Sequence, residues 1–208
     1  RGGFGDLYKV FSKRYGQSAN DMLLKRESHL ISLFTGSLDR KTSIERKTGV
    51  EHLIEFYENQ DYGNLSSLLR SNGIQSVNLK NHKDKDTIVN KLEELEVIRL
   101  GNTVKDVFDF IIDNKLIIQS KGLQRLIEKI NTNTQDIDED KKAKINKDIS
   151  LFNSFMALPY IEIINFFKHT QNENVFSTKH GTKGEEYRNV LVVIDDTNWK
   201  QKYNFENY

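Results

Sequence analysis

From Thr178 to Tyr187 the chain reads Thr-Lys-His-Gly-Thr-Lys-Gly-Glu-Glu-Tyr, which brings hydroxyl, imidazole, ammonium and carboxylate groups within ten positions of one another. Val175 and Phe176 lead into this run, and the apolar stretch from Val190 to Ile194 follows it and stops at Asp195 and Asp196. An apolar lead, a polar turn containing glycine and a second apolar run form the pattern of a functional loop attached to a buried strand. A loop at the end of a sheet strand can present the Thr178 hydroxyl, the His180 imidazole and backbone N–H groups to phosphate oxygens, which such donors bind well. Gly184 allows the backbone to approach a ligand closely or to take a positive φ. Glu186 is an acceptor, so its natural partner is a sugar hydroxyl and not a phosphate.

The same residues resemble motif V of the UvrD/Rep/PcrA family of superfamily 1 helicases. That motif reads T-x-H-x-x-K-G-x-E, then an aromatic residue, then a hydrophobic strand. Thr178, His180, Lys183, Gly184, Glu186 and Tyr187 fall on it in register, with Val190 to Ile194 as the strand. The segment Trp199 to Phe205 is similar to the tryptophan-tyrosine stretch that follows in one version of the family. Glu185 departs from the pattern, since the family commonly has Leu there; the extra charge bears on how the loop seats.

The resemblance implies roles. Thr178 and His180 become candidate contacts to single-stranded DNA, and Gly184 and Glu186 candidate contacts to the nucleotide. Lys183 and Tyr187 support the motif, with Lys183 assigned to neither side. It also implies a fold, because in this family a mostly helical insertion, subdomain 2B, interrupts the second RecA-like motor domain, 2A, and returns directly into motif V. At residue level the resemblance covers about 25 to 30 positions, and over the helical part it is one of arrangement.

What the sequence lacks narrows the chemistry further. No G-x-x-x-x-G-K-[ST] occurs in the 208 residues, so a phosphate-cradling loop is missing, and with it the setting in which Val190 to Asp196 would be a Walker B strand. The opening Gly2-Gly3-Phe4-Gly5 has Tyr8 where a dinucleotide fingerprint needs its third glycine, and it reads as a flexible lead-in. There is no arginine-bearing motif VI after the motif V segment. Glu185, Glu186, Asp195 and Asp196 would serve a metal-dependent nuclease only if strand and loop folded back on each other, and no metal-ligand spacing accompanies them.

Composition selects little by itself. Lys and Arg number 31 against 30 Asp and Glu, so net charge singles out neither nucleic acid nor membrane, and any basic surface must be local. The absence of cysteine excludes disulfides, thiolate metal sites and a thiol nucleophile, in keeping with a reducing, cytoplasmic setting. No run approaches the roughly 18 apolar residues of a membrane span, and no signal peptide opens the chain.

Upstream of the motif, the elements that must position it read as helices. Leu7, Tyr8, Val10, Phe11 and Tyr15 recur at helical spacing with Gly16 as a stop, and Ser18 to Phe34 repeats the pattern. Val50 to Tyr57 and Leu65 to Leu69 form short helices around a turn at Asp61 to Asn64, and Asn81 to Asp86 reads as an exposed loop. Thr87, Thr103 and Ser120 are candidate N-caps of three cleaner helices; the second carries Val104, Val107, Phe108, Ile111 and Ile112 on one stripe. A longer helix from Lys141 to near Leu158 follows, which Pro159 ends while starting another. The two charge-bearing segments around Lys13, Arg14, Lys25, Arg26 and His29 read as solvated faces first, because Asp21 and Glu27 dilute the charge, and as a nucleic-acid patch second. His52, His82 and His169 lack an i, i+4 partner and read as surface or half-buried histidines.

The expectation is therefore a mainly α protein: a 2B-like helical subdomain over residues 1–170 and an incomplete RecA-like 2A segment over 171–208 carrying motif V. The resemblance implies a piece of an ATP-dependent DNA helicase or translocase, with ATP and Mg2+ used by the intact parent and no cofactor expected for this piece alone. Its partners would be single-stranded or partly duplex DNA and ATP, without a membrane. The alternative from another class is a non-enzymatic helical protein-interaction module.

Overall fold

The structure is a computed structural model that describes residues 3–39, 45–71, 82–117, 119–131 and 139–171. All of them belong to the first of the two units into which the chain divides, Arg1–Glu173; the second, Asn174–Tyr208, lies outside the described residues. The described part is mainly α. Its helices are α1 (Gly5–Tyr15), α2 (Ala19–Leu24), α3 (His29–Thr35), α4 (Val50–Glu58), α5 (Tyr62–Ser71), α6 (His82–Gly101), α7 (Val104–Asp113), α8 (Lys121–Asn131), α9 (Glu139–Met156) and α10 (Ile161–Thr170). Two short antiparallel strands, β1 (Ser37–Leu38) and β2 (Glu45–Arg46), pair Ser37 with Arg46 and Leu38 with Glu45. The apolar pattern announces neither strand, because two residues are too few to show an alternation.

Aromatic rings form the centre. Phe34 of α3 packs on Phe155 of α9 at 5.8 Å between ring centroids, and edge-on against Tyr160 at 5.6 Å. Phe11 of α1 meets Phe155 edge-on at 6.0 Å, and all four rings are fully buried. Each such pair is worth about 0.5–1.5 kcal/mol beyond the area it buries. Leu7, Ile31, Leu53, Ile54, Leu92, Leu95, Val107 and Ile111 extend the same core through α1, α3, α4, α6 and α7.

Several helix ends follow the expected chemistry. Thr103 caps α7 through a reciprocal box: the Asp106 N–H donates to Thr103 Oγ1 at 3.3 Å and the Thr103 N–H to Asp106 Oδ2 at 2.9 Å. Ser120 Oγ accepts from the Leu123 N–H at 3.2 Å at the start of α8. Pro159 separates α9 from α10, and its neighbourhood pairs with the start of α7: Val104 N–H donates to Leu158 O at 2.8 Å and Tyr160 N–H to Asn102 O at 3.0 Å. Glu162 of α10 accepts from the Asp6 and Leu7 N–H groups at 3.2 and 3.1 Å, so the first turn of α1 is capped by a residue from the far end of the unit.

Three expectations change. Residues 82–86 are the first turn and more of α6 instead of a loop, and Thr87 is no cap: it sits inside the helix and its hydroxyl donates to Lys83 O at 2.9 Å. Alternating Lys and Asp made this segment look solvated, which the exposed face of a helix also is. Helix α5 begins at Tyr62, within the residues read as a turn; Asp61 accepts from the Asn64 N–H at 3.2 Å, an Asx arrangement common to turns and helix starts.

The stretch read as one pattern from Ser18 to Phe34 is two helices broken at Arg26. There α2 closes with Arg26 N–H donating to Leu23 O at 2.9 Å and Glu27 N–H to Met22 O at 3.2 Å, while Arg26 has φ 51°. This is a Schellman ending with arginine where glycine is usual. Gln60 (φ 56°) ends α4 and Lys115 (φ 54°) ends α7 with the same paired bonds. Glycine marks none of these endings, and of the three only the one at Arg26 falls inside a stretch that the sequence pattern reads as continuous.

At the hairpin glycine is indispensable. A Cβ at Gly49 would lie 2.2 Å from Gly36 N and 2.5 Å from Phe34 O, so α4 starts against the backbone that ends α3. Replacing Phe34 by Ala is expected to lower unfolding stability by about 3–5 kcal/mol, whereas Thr103→Ala should cost only about 1 kcal/mol. Urea unfolding followed by circular dichroism separates the two.

Candidate functional site

The residues singled out from sequence, Thr178, His180, Lys183, Gly184, Glu186 and Tyr187, lie outside the described residues, as do Glu185, Asp195 and Asp196. The described residues instead bring together two groups of buried polar side chains around α4 and α10.

The first is built on α4, α6 and the start of α10. Arg99 continues the inward stripe Ile88, Leu92, Leu95 of α6 and reaches α4, where Nη1 donates to Glu51 Oε2 and Nη2 to Glu58 Oε1, both at 2.9 Å. The Tyr160 hydroxyl donates to the other Glu51 oxygen at 2.8 Å. Burial pushes the Glu51 carboxyl upward, opposed by the Arg99 guanidinium and the Tyr160 hydrogen bond. Burial, with the Glu51 carboxylate beside it, drives the Tyr160 phenol well above its ordinary value. Tyr160 therefore stays neutral and donates.

The second group surrounds Glu45 of β2. Arg26 is buried, which corrects its reading as part of a solvated face: Nη1 donates to Thr35 O at 2.7 Å and also to Glu45, and Nη2 donates to Thr170 Oγ1 at 2.7 Å. Gln171 Nε2 donates to both Glu45 oxygens at 2.8 Å. His52 is fully buried, which corrects its reading as a surface or half-buried residue. Its Nδ1 accepts from the Gly49 N–H at 3.3 Å, so Nε2 carries the proton; Nε2 approaches Glu45 Oε1 at 3.3 Å but off the line of an aligned hydrogen bond. The ring stands edge-on to Phe167 at 4.9 Å. Burial raises the Glu45 carboxyl, but the close His52 Nε2–H and the hydrogen bonds from Arg26 and Gln171 together outweigh it and hold the group at about 2.

Outside Arg26 the surface opens into two adjoining clefts of about 390 and 380 Å³ that share His29, Ser32, Ser37 and Arg46. Their cations are already partly neutralised: Arg46 pairs with Asp39 at 2.6 Å and Lys25 with Asp21 at 3.4 Å. Elsewhere Asp148 of α9 is held below its ordinary value because hydrogen bonds from Lys129 and Arg14 overcome the effect of its burial, which ties α9 to α8 and α1.

Chemically, both buried groups are ion pairs whose carboxylates are bonded, while Arg26 Nε, Arg99 Nε and His52 Nε2 are buried without a hydrogen-bond partner. Neither group has a nucleophile beside a base, and among the described residues no group of three or more His, Asp or Glu side chains could hold a metal ion. Among the same residues no helix is long and apolar enough to cross a membrane. Comparison with protein-family models, with curated proteins and with solved structures gave no match to the chain.

Sequence reasoning passed over Glu45, Glu51, Arg99, Tyr160 and Gln171. For Arg99 a signal existed, since it lies four residues after Leu95 on an inward stripe and a charge there requires a buried partner. Glu45 carried none, because its hydrogen-bond partners Arg26 and Gln171 come from 19 and 126 positions away.

Two outcomes follow from this geometry. Arg99→Met strands the Glu51 carboxylate and is expected to cost about 3–5 kcal/mol at neutral pH, measured by urea unfolding. Glu45 has a depressed folded-state value, so the unfolded chain binds the proton more readily and stability rises with pH across this window. The contribution is complete above about pH 4.5 and is lost as pH falls toward 2. The stability gap between the unaltered chain and Glu45→Gln should therefore be widest above pH 4.5 and close on acidification.

Proposed function

We propose that this chain supplies a 2B-like helical subdomain and the motif V segment of a RecA-like 2A subdomain to an ATP-dependent DNA helicase or translocase of the UvrD/Rep type. The observation that carries this reading is the register of Thr178, His180, Lys183, Gly184, Glu186 and Tyr187, followed by the apolar run Val190 to Ile194. A self-contained helical unit ahead of that segment supports it, because the family's insertion is helical and returns into motif V.

In this reading Thr178 and His180 grip single-stranded DNA through hydroxyl and imidazole contacts to its backbone. Gly184 and Glu186 meet the nucleotide, the glycine by close backbone approach and the carboxylate at a sugar hydroxyl. The loop thereby joins the two ligands, and opening and closing of the motor cleft is transmitted to the grip on the strand. The P-loop and the motif VI arginine that complete ATP and Mg2+ binding come from parts of the protein beyond this sequence, and the protein works on DNA in the cytoplasm.

Loss of one hydrogen bond to a charged or strongly polar ligand group costs about 1.5–3 kcal/mol, or roughly 10- to 150-fold in rate. His180→Ala and Glu186→Ala in the intact protein are each expected to reduce DNA-stimulated ATP hydrolysis by that order. Full activity in both variants would overturn the assignment. An intact protein that neither hydrolyses ATP nor binds DNA would point to the helical interaction module.

A further inference from the structure

Helix α10 carries its apolar weight early. Ile163, Ile164, Phe166 and Phe167 are buried, whereas the residues after them, Lys168 to Gln171, are exposed or half-buried. What holds this last turn against the rest of the unit includes a set of polar bonds converging on one ion pair. Arg26 donates to the Thr170 hydroxyl, which itself donates to Phe167 O at 2.7 Å and closes the turn. Gln171, the residue after the helix, donates to both oxygens of Glu45, and its N–H donates to Phe167 O at 3.1 Å.

The ion pair is assembled from elsewhere. Arg26 comes from the α2 ending, where it occupies a left-handed conformation that a side chain rarely adopts, and Glu45 comes from β2. Arg26 Nε is buried without a hydrogen-bond partner although both of its terminal nitrogens are engaged. The closed arrangement thus carries an unfavourable backbone conformation and an unmet donor, both offset by the bonds to Glu45, Thr35 and Thr170.

We propose that the Arg26–Glu45 pair is a latch on the C-terminal turn of α10, able to release residues 168–171 while the core of the unit stays folded, so that the chain leaves α10 from either a latched or a frayed end. The apolar residues of α10 lie ahead of the latched turn, so releasing it exposes little core. That is the condition for a local opening distinct from global unfolding. The latch stands independently of the helicase reading, since all of its parts lie within the helical unit.

Amide hydrogen exchange on the whole chain tests it. Glu45→Gln removes the charge, and Gln171→Ala removes only the two bonds from Gln171 to Glu45, leaving Arg26 paired with Glu45 and bonded to Thr170. Both are expected to speed exchange at residues 168–171 by roughly tenfold or more, with α7 and α9 unchanged in Gln171→Ala and rising in Glu45→Gln only by its loss of global stability. Trypsin cleavage after Lys168 should rise in parallel. Unchanged exchange at 168–171 in Gln171→Ala, or an equal rise through α7 and α9, would overturn the latch, the second result making the pair an ordinary support of the core. Should Glu45→Gln fail to fold, Gln171→Ala keeps the same discrimination.

Discussion

Tyr160 is where the packing of this unit and its buried charge become one problem. Its ring is fully enclosed against Phe34, so its hydroxyl cannot reach water and must find an acceptor inside. Glu51 provides that acceptor, and a carboxylate at that depth then demands a cation, which Arg99 supplies from α6. Arg99 in turn spans to Glu58 at the rim. One buried phenol thus commits α4, α6 and the start of α10 to fixed relative positions. The apolar core sets how close these helices lie, and the polar chain sets their register, because hydrogen bonds tolerate far less displacement than methyl contacts do.

The second polar group works differently. Where Glu51 is reached by two side chains of the helical core, Arg99 and Tyr160, Glu45 gathers its partners from a helix ending, a buried histidine and the residue after α10. It joins segments that apolar packing alone would leave loosely related, at a place where β1 and β2 are too short to supply much of a ladder. Gly36 and Gly49 permit this closeness, since side chains there would collide with neighbouring backbone. Rigid centre and releasable margin follow from the same rule, that a buried polar group is secure in proportion to how completely its partners are themselves held.

The residues on which the proposed function rests, Thr178 to Tyr187, lie outside the described residues, whereas the described helical unit carries the apolar core and the buried ion pairs. Under the proposed function the helical unit contributes geometry and not chemistry. The polar clefts beside Arg26 fit this view, for their cations are already neutralised in part and do not form a concentrated anion site.

Sequence alone determined the helical class, the stripes of α6 and α7, the caps at Thr103 and Ser120, and the break at Pro159, because each depends on residues within one or two turns of one another. It also supplied the whole of the functional reading, which rests on spacing within ten residues. Tertiary structure decided the rest. The helix endings at Arg26, Gln60 and Lys115 use a left-handed residue without glycine, with Arg26 buried and Gln60 and Lys115 exposed. The burial of His52, the capping of α1 by Glu162 and the convergence on Glu45 join residues tens to more than a hundred positions apart. No periodicity records such pairings, since they exist only once the chain has closed around them.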